Sequence, residues 1–301
     1  MCKILIFGAG SIGTYLALKL SAAGNKVTAI GGSKLKGIKE GDTIKINAEE
    51  YKMPEIASEL VADSSYDYVF ITCKLYDIRT LLKELKDKKV KFNVLVSIQN
   101  SLFDDMWYYE YIRDKPFVIL SVFEAFNFVG KEIKKADYSG RFAFVEDDIL
   151  GKDIVKLFNT AKITVDLVSD LRKVRGEKTV FNCAVNALGA IENKTFKELI
   201  SDRRYKQKIK AIFDESYDIL SELVKMKAKR MLWQDFVDRI KNMNHYSSTW
   251  QDVKASKKTE VAFLNGYIVN LGKTLGKPTT ENLSIVEEFR KKYPGQYYVQ
   301  I

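Results

Sequence analysis

The chain has 301 residues, of which 46% are hydrophobic and 29% are charged, a composition typical of a globular protein with a hydrophobic core. This length allows one large domain or two of ordinary size, and no hydrophobic run approaches the roughly 18 residues that a membrane-spanning helix needs. The net charge of +10 suggests nucleic-acid binding, but basic and acidic residues are interleaved, as in residues 83–89, so we expect neither a nucleic-acid nor a membrane partner.

Short hydrophobic segments alternate with helical ones in the first half of the chain. Strands are predicted at residues 3–7, 26–30, 68–73, 93–98 and 117–122, and helices at residues 11–23 and 78–88. Two further strands, at residues 143–145 and 163–168, are expected to complete the same domain. Strands that alternate with helices indicate an α/β domain with a parallel, doubly wound sheet, which we predict over residues 1–169.

Helical periodicity dominates after about residue 170, where strand-like runs are almost absent. Helices are predicted at residues 178–191, 205–231, 233–241, 257–275 and 280–293. We therefore predict a second domain, all-α, over residues 170–301.

The numbers of cysteines and histidines bear on the cellular location of the protein and on whether it binds a metal. The three cysteines are an odd number without paired spacing, and the first strand begins close to the start of the sequence with no signal peptide before it. Both features predict a cytoplasmic protein without disulfide bonds. The single histidine, His245, excludes a site built from several histidines, so we predict no metal.

A G-x-G-x-x-G motif lies between the first predicted strand and the first predicted helix. Its residues are Gly8, Ala9, Gly10, Ser11, Ile12 and Gly13. The first glycine permits a tight turn, the second lets a pyrophosphate approach the backbone, and the third lets the helix pack on the strand. The helix N-terminus then faces the phosphates. We predict that these residues bind a dinucleotide and that residues 1–169 form a Rossmann-type domain.

The end of the second predicted strand bears on the choice of cofactor. A carboxylate at this position binds the ribose 2′-hydroxyl in NAD-binding proteins. Here the strand is followed by two glycines and then by Ser33, Lys34 and Lys36, without an acid. Because these side chains suit a 2′-phosphate, the sequence favours NADPH, with NADH as the weaker candidate. Solvated lysines are the alternative interpretation.

Lys178, Asn182 and Asn186 recur at every fourth position of a segment predicted to be helical. A helix turns by about 100° per residue, so these three side chains lie on one face. Their hydrophobic neighbours, such as Val180 and Leu188, indicate a packed helix, which presents an ammonium and two carboxamides only at a cost in free energy. A polar ligand along this stripe would explain them. The alternative is a solvated lysine and locally bonded asparagines.

These features together resemble the ketopantoate reductase (2-dehydropantoate 2-reductase) family, and the resemblance extends over nearly the whole chain. The matching segments are residues 8–13, 72–74, 97–100, 178–186, 246–252 and 259–266. The resemblance implies a Rossmann domain joined to a helical domain that carries substrate-binding and catalytic residues. It also implies NADPH-dependent reduction of ketopantoate, a 2-oxo acid, to pantoate in pantothenate biosynthesis, and it suggests a homodimer.

The resemblance also implies roles for individual residues. Lys178 would be the general acid that protonates the developing alkoxide, and Glu260 would contact the substrate and set the protonation state of Lys178. Substrate contacts are implied for Asn100, Asn182, Asn186 and Ser248, and cofactor contacts for Lys74 and Asn100. The non-functional alternatives are that Glu260 lies at the surface and that Ser248 is the N-cap residue of a helix.

The chain departs from the family pattern at several positions. Ser101 follows Gln99 and Asn100 where the family commonly has glycine, and Gly32 stands where it usually has an arginine. Phe196 stands where it often has an asparagine. These departures leave open the reduction of another 2-oxo acid or an imine, as in opine dehydrogenases. A non-catalytic dinucleotide-binding protein is a further alternative.

Overall fold

The computed structural model describes residues 1–32, 35–102, 105–112, 115–136 and 140–298. The chain divides into two compact units. An N-terminal unit comprises Met1–Asn100 and Asp104–Leu171, and a helical unit comprises Ser101–Phe103 and Arg172–Ile301. Within the described part of the chain, every helix is too short or too polar to cross a membrane.

The strands all lie in the N-terminal unit as far as the chain is described. Numbered in chain order, they are β1 (Lys3–Phe7), β2 (Lys26–Ile30), β3 (Thr43–Ile46), β4 (Glu49–Lys52), β5 (Glu55–Ala57), β6 (Ser65–Ile71), β7 (Lys91–Ser97), β8 (Phe117–Ile119), β9 (Ser121–Val122), β10 (Ala125–Val129), β11 (Glu132–Ala136), β12 (Ala143–Glu146) and β13 (Val165–Val168). The same unit contains the helices α1 (Ser11–Ala22), α2 (Ile78–Asp87), α3 (Asp105–Ile112) and α4 (Ile149–Thr160).

The main sheet has six strands in the order β5-β2-β1-β6-β7-β8, and every neighbouring pair is parallel. This is the strand order of doubly wound dinucleotide-binding sheets, and it confirms the predicted fold class. Ile4, Leu5 and Ile6 of β1 are fully buried, as a central strand of a parallel sheet requires. The order reverses between β1 and β6, which places a ligand-binding crevice at the carboxyl ends of these two strands.

Two smaller sheets complete the N-terminal unit, in the orders β10-β11-β3-β4 and β13-β12-β9. The sequence predicted one strand at residues 117–122, and this prediction is wrong in one respect. Leu120 separates β8, which is parallel to β7, from β9, which is antiparallel to β12. The predicted strands at residues 143–145 and 163–168 form as β12 and β13.

The helical unit contains α5 (Leu171–Glu192), α6 (Phe196–Ser201), α7 (Arg203–Leu220), α8 (Lys229–Ile240), α9 (Ser248–Lys254), α10 (Asn265–Leu275) and α11 (Thr280–Lys292). Helix α5 begins earlier than predicted, and it ends before Asn193, whose φ of 53° is left-handed. The helix predicted at residues 205–231 ends at Leu220, and α6 and α9 were not predicted. The prediction of a mostly helical second domain is confirmed.

Candidate functional site

The glycine turn after β1 is held tightly by its neighbours. Gly8 has a φ of 96°, and a Cβ atom there would lie 2.3 Å from the Cys73 nitrogen. A Cβ atom on Gly13 would lie 2.5 Å from the Thr72 hydroxyl oxygen. The backbone N–H groups of Gly8 and Ala9 both donate to the Ile30 carbonyl oxygen, at 2.9 and 3.2 Å. The first and third glycines are therefore required by the turn itself.

Gly10 has a different explanation. A Cβ atom on Gly10 would meet only the Gly8 carbonyl oxygen, at 3.8 Å, so the protein leaves space at this position. Gly10 is also the N-cap residue of α1, and no side chain caps that helix end. Ser11 and Ile12 begin the helix and are partly exposed. Exposed N–H groups at a helix N-terminus suit a pyrophosphate, so the residues present fit a dinucleotide.

The ends of β6 and β7 lie beside this turn. The Thr72 hydroxyl lies 2.9 Å from the Phe7 carbonyl oxygen and 2.8 Å from that of Gly8, and it donates to these oxygens. The Gln99 side-chain amide donates to the carbonyl oxygens of Ile71, at 2.8 Å, and Cys73, at 3.1 Å. These bonds fix the backbone that precedes Lys74 and Asn100.

Lys74 and Asn100 are both partly buried. The structure thus brings two predicted cofactor residues to the carboxyl ends of strands on the N-terminal unit. They share this edge of the sheet with the glycine turn.

The segment after β2 explains one departure from the family pattern. Gly32 has a φ of 95°, and a Cβ atom there would lie 2.3 Å from the Ala9 carbonyl oxygen. An arginine at this position would therefore displace the glycine turn. Ser33 and Lys34 lie outside the described residues, and Lys36 is exposed.

The predicted polar stripe lies on α5 of the helical unit. Asn182 and Asn186 are only 8% and 5% exposed, and the structure gives neither side-chain amide a hydrogen-bond partner among the described residues. The two residues are largely buried, yet their amide atoms are not among the fully buried unsatisfied groups, so these amides stay open to a bound polar ligand. The interpretation that the asparagines bond locally is wrong for the described chain.

Lys178 precedes these asparagines on the same face of α5. The pKa of Lys178 is lowered from 10.5 to about 7, mainly by burial and in part by the positive charges of Arg239 and Arg175. The Glu260 carboxylate opposes this by raising the pKa of Lys178. Glu260 is 6% exposed, so the interpretation of this residue as a surface acid is wrong.

Sequence analysis missed Arg175, which lies three residues before Lys178 on α5. Arg175 is buried, and its guanidinium donates a hydrogen bond to the Ser101 carbonyl oxygen. Ser101 has a φ of 141°, a conformation that favours glycine over serine. The spacing of Arg175 and Lys178 on one helix was the available signal.

The segment before α9 corrects another expectation. Ser247, and not Ser248, is the N-cap residue of this helix, because its hydroxyl oxygen accepts a hydrogen bond of 3.1 Å from the Trp250 N–H. The same hydroxyl donates to the Asn186 backbone carbonyl oxygen at 3.0 Å. Ser248 is exposed and is the first residue of α9.

Aromatic side chains lie next to the stripe. The Phe181 ring, on α5, contacts the Phe196 ring edge-on with a centroid distance of 5.9 Å. Phe196 also contacts His245 edge-on at 5.0 Å. The Arg239 guanidinium, on α8, lies 5.5 Å from the Phe181 centroid. Arg239 carried no signal in the sequence, because only the packing of α8 brings it near α5.

The sheet topology and the glycine turn are those of a dinucleotide-binding protein. Two family models match the chain. The model described as ketopantoate reductase PanE/ApbA matches residues 4–144, and that of its C-terminal part matches residues 170–293. The chain belongs to the ketopantoate reductase PanE/ApbA family, and the predicted resemblance is confirmed.

Individual relatives match over almost the whole chain. A 2-dehydropantoate 2-reductase of Aquifex aeolicus is 26% identical over 96% of this chain and 96% of its own length. The crystal structure of a PanE/ApbA family ketopantoate reductase from Ralstonia eutropha has a TM-score of 0.87 and 22% identity, covering 98% of this chain and 99% of that one. A ternary structure of D-mandelate dehydrogenase with NADH and anilino(oxo)acetate has the same TM-score, 0.87, with 19% identity and the same coverages, 98% and 99%.

Proposed function

We propose that this protein reduces a 2-oxo acid to a 2-hydroxy acid, with a reduced nicotinamide dinucleotide as hydride donor and Lys178 as general acid. The observation that carries this proposal is the arrangement on α5, where Lys178 precedes two largely buried asparagines whose amides have no partner among the described residues. A 2-oxo acid has a carbonyl oxygen that can accept a proton from Lys178 and further polar groups that can bind Asn182 and Asn186.

The chemistry divides between the cofactor and the helical unit. The bound cofactor supplies a hydride to the carbonyl carbon of the substrate. Lys178 donates a proton to the carbonyl oxygen, and its charge stabilises the negative charge that develops there. Because its pKa is about 7, the amine both gives and regains a proton near neutral pH. Glu260 keeps Lys178 protonated to a higher pH than burial alone would allow.

The two asparagines bind the substrate in this proposal. Each carboxamide offers two N–H donors and one acceptor, so Asn182 and Asn186 suit a ligand with alternating hydroxyl and carbonyl oxygens. Ketopantoate carries such groups, and the named relatives are 2-dehydropantoate 2-reductases. Ketopantoate is therefore the first candidate, with pantoate, a precursor of pantothenate and coenzyme A, as the product. Ser248 and Asn100 are proposed as further substrate contacts.

NADPH is the proposed cofactor. The glycines after β2 leave no carboxylate to repel a 2′-phosphate, and Lys36 is exposed in the same segment. NADH is the alternative, supported by the likeness to D-mandelate dehydrogenase, whose structure holds NADH. A cytosolic location and a homodimer stay predictions.

A different 2-oxo acid is the second candidate. The observation that favours it is Phe196, which is 5% exposed and packs between Phe181 and His245 where the family often has an asparagine. An aromatic surface in place of an amide suits a substrate with a more hydrophobic side chain. Anilino(oxo)acetate, in the D-mandelate dehydrogenase structure, combines an aromatic ring with an oxo acid group.

A panel assay tests the proposal. Oxidation of NADPH and of NADH is followed with ketopantoate, 2-oxo-3-methylbutanoate and phenylglyoxylate as oxidants. Efficient turnover of ketopantoate selects the first candidate, and a clear preference for one of the other acids selects the second. Tight dinucleotide binding without reduction of any of these three acids would contradict the proposal and favour the non-catalytic alternative.

A further inference from the structure

An arginine and two aromatic side chains extend the polar stripe sideways across the helical unit. We call Phe181, Phe196 and Arg239 the arginine–aromatic cluster. Arg239 is partly buried on α8, and its guanidinium lies 5.5 Å from the Phe181 centroid. Phe196 supports Phe181 from the side, with their centroids 5.9 Å apart. Phe181 lies one helical turn after Lys178 on α5, so the cluster is beside the proposed proton donor.

Charged groups of both signs act on Lys178. Among the groups that shift the pKa of Lys178, two are cationic, Arg175 and Arg239, and one is anionic, Glu260. Of the two arginines, Arg239 lies on α8, with its guanidinium 5.5 Å from the Phe181 centroid. Partly buried charge of one sign favours a ligand of the opposite sign.

His245 adds no charge to this neighbourhood near neutral pH. Burial and the nearby positive charge of Arg239 both lower the pKa of His245. The imidazole contacts Phe196 edge-on and is therefore part of the aromatic surface. The cationic groups that remain differ in role, because Arg175 is 3% exposed and bonds to the Ser101 backbone. Arg239 is more exposed than Arg175.

We infer that Arg239 binds the carboxylate of the substrate and that the partly exposed Phe181 ring contacts its hydrophobic side chain. This inference rests on the proposed reduction of a 2-oxo acid, and it makes Arg239 a specificity-determining residue. A guanidinium offers two parallel N–H groups that match the two oxygens of a carboxylate. The ring beneath the guanidinium restricts its orientation, so less conformational freedom is lost when the acid binds.

The test compares a 2-oxo acid with its uncharged amide. The substrates are phenylglyoxylate and phenylglyoxylamide, which differ in charge and share the ketone and the ring. Arg239→Gln removes the charge and keeps most of the side-chain length, and Arg239→Lys keeps the charge without the planar pair of donors. Arg230→Gln is the matched control, because Arg230 is exposed on the same helix.

The expected result is a selective loss. Arg239→Gln should lower kcat/KM for the acid by about 10- to 100-fold, mainly by raising KM. The value of kcat/KM for the amide should change by less than about threefold. Arg239→Lys should recover part of the loss, and Arg230→Gln should match the unmodified protein. An equal loss for acid and amide, or no loss for either, would overturn the inference, since Arg239 would then be structural or uninvolved.

A binding measurement tests the role of Arg239 independently of whether the protein reduces the acid. Calorimetric titration with phenylglyoxylate and with 2-oxo-3-methylbutanoate, in the presence of the oxidised cofactor, measures acid binding without turnover. If the unmodified protein binds either acid and Arg239→Gln does not, the inference stands even where no reduction is seen. If both proteins bind the acids equally, or neither binds them, the inference fails. Thermal melting of each variant verifies folding, and Arg239→Met replaces Arg239→Gln if the latter does not fold.

Discussion

The Ser101 hydroxyl donates a hydrogen bond of 2.9 Å to the carbonyl oxygen of Phe263. This bond lies within the helical unit and compensates for an unfavourable backbone conformation, since Ser101 has a φ of 141°. The Ser101 carbonyl oxygen in turn accepts the hydrogen bond from Arg175. One residue thus links the segment that follows β7 to α5 and to the turn before α10.

Two substitutions of Ser101 should separate the hydrogen bond from the backbone strain. Ser101→Ala loses the bond and keeps the strain, so it should lower the free energy of unfolding by about 1 to 2 kcal/mol. Ser101→Gly loses the bond and relieves the strain, so it should change this free energy by less than about 1 kcal/mol. Urea denaturation measures both values. A glycine variant less stable than the alanine variant would contradict the role given to the φ angle.

Phe196 is a core residue as well as a candidate for substrate selection. It is 5% exposed and contacts two rings edge-on, so Phe196→Asn removes packing and buries a carboxamide. We expect a loss of about 3 to 5 kcal/mol in the free energy of unfolding. Denaturation compared with Phe196→Leu, a variant that stays hydrophobic, checks this. A fully stable Phe196→Asn would show that the site has room for an amide.

The sequence was informative where hydrophobic patterns are strong and local. Continuous hydrophobic runs identified β1, β6 and β7, and four-residue spacing placed Lys178, Asn182 and Asn186 on one helix face. The charged strands β3 and β4 were missed because they have no such run, with only Ile44 and Ile46 buried among the residues of these two strands. The alternation in β3 extends over only four residues, and β4, at the edge of its sheet, has no buried residue, so neither segment shows a pattern long enough to identify a strand.

The rest of the candidate site depends on contacts between distant segments. The Arg175 contact with Ser101 joins residues 74 positions apart, and Arg239 approaches Phe181 only through the packing of α8 on α5. No local spacing encodes such contacts. The boundary of one strand was lost for a similar reason, because the sharing of residues 117–122 between two sheets follows from the partners β7 and β12.

The choice between NADPH and NADH should depend on the lysines after β2. Charge reversal in Lys36→Glu or Lys34→Glu should weaken NADPH binding by about tenfold, because a carboxylate repels the 2′-phosphate, and should leave NADH binding nearly unchanged. Fluorescence titration of the two cofactors measures both constants. Lys26→Glu, at the opposite end of β2 and exposed, is the control. Tighter NADH binding in the unmodified protein would reverse the proposed preference.

The rate of reduction should depend on the protonation of Lys178. Only the protonated amine donates a proton, and its pKa is about 7, so kcat/KM for the oxo acid should fall as the pH rises through this value. The Glu260 carboxylate raises this pKa, so Glu260→Gln should move the descending limb to lower pH. Glu287→Gln, on an exposed site of α11, should leave the profile in place. A limb that moves to higher pH in Glu260→Gln would contradict the electrostatic assignment.

Lys178 should also reduce the stability of the fold at neutral pH. Its pKa is about 7 in the folded protein and near 10.5 in the unfolded chain, so the unfolded chain binds more protons between these values. The free energy of unfolding therefore rises between about pH 7 and pH 10.5. Below about pH 7 the destabilisation that Lys178 causes is complete. Lys178→Met should be more stable than the unmodified protein at pH 7 by an amount on the order of 1 to 4 kcal/mol, and the difference should narrow toward pH 10.

The Lys178→Met substitution, which should raise stability, should lower the rate of turnover. Lys178→Met removes the proposed proton donor and its charge but keeps a side chain of similar length, so cofactor binding should be unaffected. We expect turnover of the identified 2-oxo acid to fall by about 10² to 10⁴, the usual range for a general acid. Single-turnover oxidation of the reduced cofactor, followed by absorbance, separates this step from product release. A variant that is stable, binds the cofactor and turns over at a near-normal rate would remove Lys178 from the mechanism and leave His245 or Lys74 as the next candidate.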